Sequence, residues 1–271
     1  MRVLTLNLWG TGGDWAKRRS AIAAGVRALD PDLIALQEVV RTQERDTAAE
    51  VVGEEYSVHH QTVGRQGGEL CIAIASKWPV AELREIEHER TPRMRDFPAG
   101  TLLAEVEPPK AVGPLLFVNH LPAWEPAHEL ERERQTVAAA RVIEEIVSER
   151  PMHVVLAGDL DAVPDAASIR FLRGLQSIDG VSVCFRDAWE GAGPGDLGHT
   201  FTTDNPLVLE DSEVRQELNR RIDYIFVRCD EYGPTLEITA CRLAFDRPLE
   251  GVWASDHFGV VADLTASPAR A

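Results

Sequence analysis

The residues of this chain best suited to chemistry are polar side chains that end otherwise apolar, strand-like segments. Each one alone has an ordinary explanation, such as a helix cap or a turn. Ionised carboxylates in apolar surroundings are costly unless they are paired or bound to a metal. The whole set therefore predicts one shared site. Its members are Asn7, Glu38, His120, Asp159, Asp161, Asp223, Asp256 and His257.

Strand-like and helix-like segments alternate along the chain and must position this set. Apolar residues at helical spacing predict helices at 15–29, 127–149 and 165–174, with Asp14 as an N-cap and Asp30-Pro31-Asp32 as a stop. Strands are predicted at 2–8, 33–39, 68–76, 80–87, 101–107, 115–120, 153–159, 222–227, 235–243 and 258–264, and a long loop at 190–220. With no linker or internal repeat, we expect one layered α/β domain over residues 1–271. Strand ends are where such folds usually place their sites.

Charge and composition restrict the partners. The formal net charge is -16, whereas a protein that grips long nucleic acid usually carries a basic surface. This balance argues against long duplex nucleic acid as a partner. No apolar run approaches the roughly 18 residues of a membrane span, and no leader-like segment precedes the first strand. We therefore expect a cytoplasmic protein without a transmembrane segment. The four cysteines are expected to be small buried thiols in strands.

Six segments, taken together, resemble the endonuclease/exonuclease/phosphatase superfamily. They occur in the family's order and span nearly the whole chain: LTLNLWG (4–10), LIALQEVV (33–40), FVNHLP (117–122), LAGDLDAVPD (156–165), RRIDYIFV (220–227) and SDHFGVVADL (255–264). The resemblance implies a four-layer α/β sandwich, in which two packed mixed β-sheets are flanked by helices.

The resemblance also implies a metal site. Asn7 and Glu38 would hold a divalent cation, with Asp256 close by. Carboxylate and amide oxygens suit a hard cation, so Mg²⁺ is expected and Mn²⁺ would also fit. Such a cation offsets the negative charge that makes a phosphate ester resist attack.

Acid–base roles follow from the same resemblance. Asp223 would pair with His257 and fix its tautomer, while His120 would lie against the phosphate oxygens. Asp159 would orient the attacking water or protonate the leaving oxygen. The choice of general base between Asp159 and His257 stays open from the sequence.

Asp161 departs from the family's pattern, because Gly-Asp-x-Asn is usual and this chain has Gly158-Asp159-Leu160-Asp161. The usual Asn donates a hydrogen bond, which an ionised Asp cannot do. Asp161 must therefore be protonated, paired with a cation, or bound to a second metal. We favour the protonated or cation-paired state.

Weaker signals concern substrate binding and support of the site. Arg93 and Arg95 form either a phosphate clamp or a solvated loop paired with nearby glutamates, and His199 could line the mouth of the site. Glu69 could support His120. Arg18, between two other basic residues, is expected on a helix surface.

Three functions remain open from the sequence. The leading one is a divalent-metal-dependent hydrolase of a phosphodiester or phosphomonoester bond in a small-molecule or lipid-like substrate. A DNA or RNA endo- or exonuclease is the alternative among enzymes. A catalytically inactive binding module of the same fold is the alternative outside enzymes, and the intact set of site residues argues against it.

Overall fold

A computed structural model describes residues 1–62, 69–88, 91–94, 99–210 and 219–266. In these ranges the helices are α1 (Trp15–Leu29), α2 (Thr47–Val52), α3 (Glu129–Glu149), α4 (Ala167–Leu172) and α5 (Ala188–Ala192), with a 3-10 helix at Pro206–Leu209. The strands are β1 (Arg2–Asn7), β2 (Leu33–Val40), β3 (Ser57–His60), β4 (Leu70–Ser76), β5 (Val80–Glu87), β6 (Gly100–Val106), β7 (Leu115–Leu121), β8 (His153–Asp159), β9 (Phe185–Asp187), β10 (Asp223–Asp230), β11 (Gly233–Pro234), β12 (Leu236–Ala244) and β13 (Gly259–Ala266).

The strands form two mixed sheets. The first runs in the order β12-β13-β1-β2-β4-β3, and the second in the order β11-β10-β8-β7-β6-β5, with β9 paired to β10. β1 and β2 are parallel, as are β7 and β8, and the other pairs are antiparallel.

Three apolar cores separate four layers. Val3, Phe117 and Ile225 belong to the core between the two sheets. A second core joins the first sheet to α1 and α2, and a third joins the second sheet to α3 and α4. Side chains along a strand alternate between faces, so each sheet contributes to two cores. The predicted fold of two mixed sheets flanked by helices is confirmed.

Local signals account for the ends of α1. The Asp14 side chain accepts a hydrogen bond from the Lys17 amide at 3.3 Å, which satisfies one otherwise unpaired donor of the first turn. Asp30 adopts a left-handed conformation and its amide bonds the carbonyl of Val26. Pro31 lacks an amide hydrogen, so the helix cannot continue.

Several short elements were not predicted, namely α2, α5, β3, β9 and β11. They lack the length that makes periodicity visible, although Asp46 and Asp187 each cap the following helix through a side-chain hydrogen bond.

The prediction for the cysteines is half right. Cys71 and Cys241 are buried, but Cys184 is exposed and Cys229 is half-buried. Among the described helices, none combines the length and the apolar character that crossing a bilayer requires.

Candidate active site

The polar residues predicted to share a site are brought together, with one exception, at one edge of both sheets. Parallel β1 and β2 bring Asn7 and Glu38 there, at the end of β1 and two residues before the end of β2, and β8 ends there with Asp159. β10 runs antiparallel to β8 and begins there, so that Asp223 lies opposite Asp159 in the register. Residues separated by most of the chain therefore meet at the gap between the sheets.

A β-bulge gives Glu38 its direction. Leu33, Ala35 and Gln37 face the second sheet, so simple alternation would turn Glu38 toward the helices. The register between β2 and β4 shifts between Leu36 and Val39, and Glu38 takes a φ of 51°. This conformation is uncommon for a residue with a side chain. Bulges of this kind re-aim side chains next to active sites.

The Asn7 amide joins carboxylates from the two sheets. Its Nδ2 donates to Oε1 of Glu38 at 3.0 Å and to Oδ2 of Asp159 at 2.9 Å. Its Oδ1 accepts from the Trp9 amide at 2.8 Å. In this orientation the amide nitrogen faces the carboxylates. Asn7 would have to rotate its amide to offer an oxygen to a cation.

Asp223 and His257 form the expected pair. Nδ1 of His257 lies 3.0 Å from Oδ2 of Asp223 and 3.8 Å from Oδ2 of Asp159. Burial alone would lower the pKa of His257, but Asp223, Asp159 and Asp256 outweigh burial and hold the pKa well above its ordinary value. The carboxylates thus favour the protonated form of His257, with Nδ1 directed at Asp223.

The carboxyl groups of the site have raised pKa values, because burial and the neighbouring negative charges disfavour their ionised forms. Burial, with the charge of Asp256, raises the pKa of Glu38 to about 7. Burial and the nearby Asp223 raise the pKa of Asp159 to about 6. A carboxyl group with a pKa near neutrality is suited to acid–base work.

Asp161 lies just beyond Asp159, and its amide donates to Oδ1 of Asp159 at 3.1 Å. Its φ of 50° is a left-handed conformation that Asp and Asn tolerate better than most residues. Burial and the charge of Asp159 hold the pKa of Asp161 well above its ordinary value, against the opposing charges of Arg220 and Arg132. These surroundings agree with the protonated or cation-paired state.

Loop residues that the sequence did not single out support the site. Thr200 accepts hydrogen bonds from the amides of Ile222 and Asp223 at 3.1 and 3.2 Å. Asn205 donates to the carbonyls of Ser255 and Asp256 at 2.7 and 2.9 Å. Both lie in the Gly-rich and polar segment, where no periodic pattern marks individual residues.

Arg18 was predicted on a helix surface, and this prediction is wrong. The side chain is 2% exposed and donates to the carbonyls of Leu8, Gly12 and Ala254. Its guanidinium lies over the rings of Trp9 and Trp15, at 4.9 and 5.5 Å from their centroids. Burial lowers the pKa of Arg18 to about 10. It ties the loop after Asn7 to the loop before Asp256.

His120 is the exception to the assembly of the site. β7 alternates so that Phe117 and Asn119 face the first sheet while Val118 and His120 face α3. The His120 ring is fully buried, with Nδ1 2.8 Å from the Thr101 hydroxyl and Nε2 3.3 Å from the Thr136 hydroxyl. The structure therefore does not bring His120 to the carboxylates. Glu69 is not its hydrogen-bond partner.

The residue beside His120 bridges the sheets instead. Asn119 accepts from Nε2 of Gln37 at 2.8 Å through its side-chain oxygen. Its Nδ2 donates to the carbonyls of Leu36 and Ala73 at 2.9 and 2.8 Å. Counting strand positions from Phe117 could have identified Asn119 as the inward residue. His120 still supports the site through its main chain, because a side chain at Gly158 would clash with the His120 carbonyl oxygen.

The weaker substrate-binding candidates are scattered. Arg93 is half exposed, donates to the Ala127 carbonyl at 2.6 Å and lies 3.6 Å from the Glu131 carboxylate. It is thus a paired loop arginine, although its partner is not one of the neighbouring glutamates. Arg95 lies outside the described residues. His199 is half-buried. It directly precedes Thr200, whose hydroxyl accepts hydrogen bonds from the amides of Ile222 and Asp223.

Arg220 is a cationic residue beside the site that the sequence reasoning passed over. Its guanidinium lies 5.6 Å from the centroid of the Phe201 ring, and Phe201 contacts His257 with ring centroids 5.0 Å apart. Among the described residues, the buried Nε of Arg220 has no hydrogen-bond partner. The sequence feature that marks Arg220 is its position in RRIDY, next to Arg221 and three residues before Asp223.

The donor set fits a divalent cation. Ligand atoms of Asp159, Asp223 and His257 lie within 4.8 Å of one another, and the buried Oδ1 of Asp223 accepts no hydrogen bond from the described residues. A protonated His257 has no lone pair to offer a metal. The carboxylate oxygens of this group are therefore suited to a cation, and a position near Glu38 and Asn7 is what the resemblance implies. There it would offset charges that burial leaves uncompensated.

Solved structures with the same fold come from several organisms. The truncated TDP2 of Caenorhabditis elegans has 20% sequence identity and a TM-score of 0.75, over 98% of this chain and 97% of that one. A D. rerio TDP2 complexed with a single-strand DNA product has 19% identity and a TM-score of 0.74, over 98% and 99%. An endonuclease/exonuclease/phosphatase family protein from Bacteroides thetaiotaomicron has 17% identity and a TM-score of 0.76, over 98% and 95%.

At identities of 17–20% the structural likeness shows the fold only. Membership of a family rests on the match of the sequence to a family model. No curated protein sequence matches the chain. The model of the Endonuclease/Exonuclease/phosphatase family matches residues 4–257, a range that contains every residue of the site. The chain belongs to the endonuclease/exonuclease/phosphatase family.

Proposed function

We propose that this protein is a divalent-metal-dependent hydrolase of phosphate esters. The observation that carries the proposal is the hydrogen-bonded cluster of Asn7, Glu38, Asp159, Asp223 and His257 at the gap between the sheets. Members of this family are mostly metal-dependent hydrolases of phosphoester bonds. An inactive binding module would have no need for two buried carboxyl groups with pKa values near neutrality.

Each residue has a proposed role. Glu38 and Asn7 would hold Mg²⁺ or Mn²⁺, with Asp256 close by, and the cation would supply positive charge that offsets the charge of the phosphate. Asp223 keeps Nδ1 of His257 engaged, so Nε2 can donate its proton to a phosphate oxygen as negative charge develops there.

Asp159 is our choice for the general base, a question that the sequence left open. Its pKa of about 6 suits it to accept a proton at pH 7, whereas the surrounding carboxylates favour the protonated form of His257. Asp159 can therefore orient a water and take its proton. Asp161, when protonated, supplies the donor that Asn supplies elsewhere in the family.

Activity measurements test this proposal directly. We expect hydrolysis that depends on Mg²⁺ or Mn²⁺ and is lost on chelation. We also expect His257→Ala to lower kcat by at least ~10²-fold with the fold retained, the usual scale for a positioned acid or base. The half-buried His59 of strand β3 supplies the matched control, His59→Ala. Undiminished turnover after chelation, or a folded His257→Ala protein with near wild-type kcat, would refute these roles.

The substrate is proposed to be a small-molecule or lipid-like phosphate ester, because the net charge of -16 opposes long polyanions. A cytoplasmic location is part of the same proposal. The competing proposal, a nuclease, is supported by the likeness to a TDP2 structure that holds a single-strand DNA product.

A substrate panel separates the two proposals. It contains bis-nitrophenyl phosphate, nitrophenyl phosphate, a choline phospholipid, plasmid DNA and single-stranded DNA, all assayed with Mg²⁺. We expect the small and lipid-like esters to be turned over with higher kcat/KM than either DNA. Sub-micromolar binding to plasmid DNA near physiological salt, falling steeply as salt rises, would favour the nuclease.

A further inference from the structure

Two cysteines far apart in the sequence lie directly opposite each other in the second sheet. β9 and β10 pair antiparallel, with Val227 opposite Arg186 and Arg228 opposite Phe185. The same register places Cys229 opposite Cys184, and the Cys229 amide donates to the Cys184 carbonyl at 2.8 Å. Hydrogen-bonded cross-strand pairs have Cα atoms about 5.5 Å apart. This spacing falls within the roughly 4.4–6.8 Å that a disulfide spans.

The two thiols also meet at the surface. They line one surface cavity of about 330 Å³, together with Gly174, Ser182 and Arg228. Cys184 is exposed and Cys229 is half-buried. An added Cβ at Gly174 would lie 3.3 Å from Sγ of Cys184, so the glycine keeps one side of the exposed thiol uncrowded.

In the part of the chain that the structure describes, the residues around the pair offer too few ligands for a metal site. Arg228 is bound by both oxygens of Glu144, at 2.8 and 2.6 Å. That carboxylate is therefore already engaged, and the described residues around the cavity offer only two sulfur ligands. A closed tetrahedral zinc site needs four ligands. Cys184 is the exposed thiol of the pair and Cys229 is half-buried, so a disulfide in solution reaches Cys184 first.

We propose that Cys184 and Cys229 form a thiol-oxidation site that reacts with low-molecular-weight disulfides, such as oxidised glutathione, and closes to an intramolecular disulfide. The Cys184 thiolate attacks one glutathione sulfur, the glutathione S–S bond breaks, and one glutathione leaves as a thiol. The Cys229 thiolate then attacks Sγ of Cys184 and releases the second glutathione. Two electrons and two protons pass from the cysteines to the glutathione disulfide.

The crosslink would act on stability and leave the proposed active site in place. It closes the segment from Cys184 to Cys229, which contains Thr200, Phe201 and Arg221. Closing a loop of this length restricts the unfolded chain. Asp223 lies six residues from Cys229 along β10, about 20 Å at the usual rise of a strand. Hydrogen-bond distances at Asp223 are therefore not expected to change.

Thiol counting on the folded protein tests the proposal without any activity assay. Dilute wild-type protein is incubated with excess oxidised glutathione, quenched with acid, denatured, and analysed by thiol titration and peptide mass spectrometry. We expect the thiol count to fall from four to two, with residues 184 and 229 joined and no glutathione retained. The thermal midpoint should rise on oxidation.

Single substitutions identify the two steps. Cys229→Ser should stop at a stable glutathione adduct on Cys184, because the second attack is removed. Cys184→Ser should keep its three remaining thiols. Cys71→Ser is the matched control and should still lose two thiols. The proposal fails if the wild type keeps all four thiols, stops at an adduct on Cys184, or crosslinks Cys71 or Cys241.

Discussion

Replacing the buried Arg18 should loosen two loops of the proposed active site at once. Arg18→Met keeps a long apolar stem but removes a guanidinium that is 2% exposed. The carbonyls of Leu8, Gly12 and Ala254 then lose their donor. Arg19 is the matched control, because it is the next residue of the same helix and is exposed.

The size of the effect follows from the contacts. A buried carbonyl left without its partner costs about 1–3 kcal/mol, and three carbonyls are affected. The stacking on Trp9 and Trp15 adds about 0.5–1 kcal/mol for each ring. Relief from burying the charge offsets part of this, since burial lowers the pKa of Arg18 from its ordinary value to about 10, which corresponds to about 3 kcal/mol. We expect a net loss of about 1–8 kcal/mol.

Two measurements check this expectation. Urea denaturation gives the free energy of unfolding of wild type, Arg18→Met and Arg19→Met, and the control should lie within about 0.5 kcal/mol of wild type. Calorimetric titration with Mg²⁺ should show affinity reduced about tenfold or more in Arg18→Met, as when residues that orient ligands are lost. If Arg18→Met matches Arg19→Met in both measurements, the buried guanidinium does not position the site.

Three further predictions concern titratable residues. The pKa of Glu38 is about 7 in the folded protein against an ordinary value of 4.5, so the metal-free folded state holds a proton that the unfolded state loses. In the presence of chelator, the free energy of unfolding of the wild type should therefore fall between pH 5 and pH 7.5, by about 1–3 kcal/mol more than that of Glu38→Gln. Urea denaturation at each pH measures this difference, and an equal fall in both proteins would contradict the prediction. Asp161→Asn should keep near wild-type kcat at pH 7 and extend activity to higher pH, whereas a large loss rescued by added Mg²⁺ would indicate a metal ligand. His120→Gln should lower the thermal midpoint while changing kcat less than threefold, and a ~10²-fold loss of kcat in a folded protein would restore the phosphate-contacting role that the resemblance implies.

The longer elements and most of the site could be predicted from the sequence. Helix α1 and strand β8 have the predicted bounds, because periodicity over a long or strongly apolar segment dominates other signals. Asn7, Asp159 and Asp223 meet because they end or begin strands on the face between the sheets. Their meeting depends on the alternation of side chains along each strand and on where each strand ends, and both can be predicted from the sequence.

The differences have physical reasons in single residues. Glu38 reaches the site only through a bulge, and a bulge has no reliable sequence signal. Arg18 looks like any helix arginine, because its burial depends on loops at residues 8–12 and 254 that fold over it. His120 faces away because β7 alternates strictly, which a motif comparison does not consider. The opposition of Cys184 and Cys229 depends on strand β9, which is three residues long and too short to detect.

The pairing of β1 with β13 has a consequence for biosynthesis. Leu4 lies opposite Val261 in the register, so the first strand must wait for nearly all of the chain to be translated before it gains this neighbour. Until then the ribosome-bound chain exposes an apolar strand edge, which chaperones commonly shield. Asp256 and His257 arrive equally late. A chain that ends before residue 256 thus lacks two members of the proposed site, which is complete only after these residues have been synthesised.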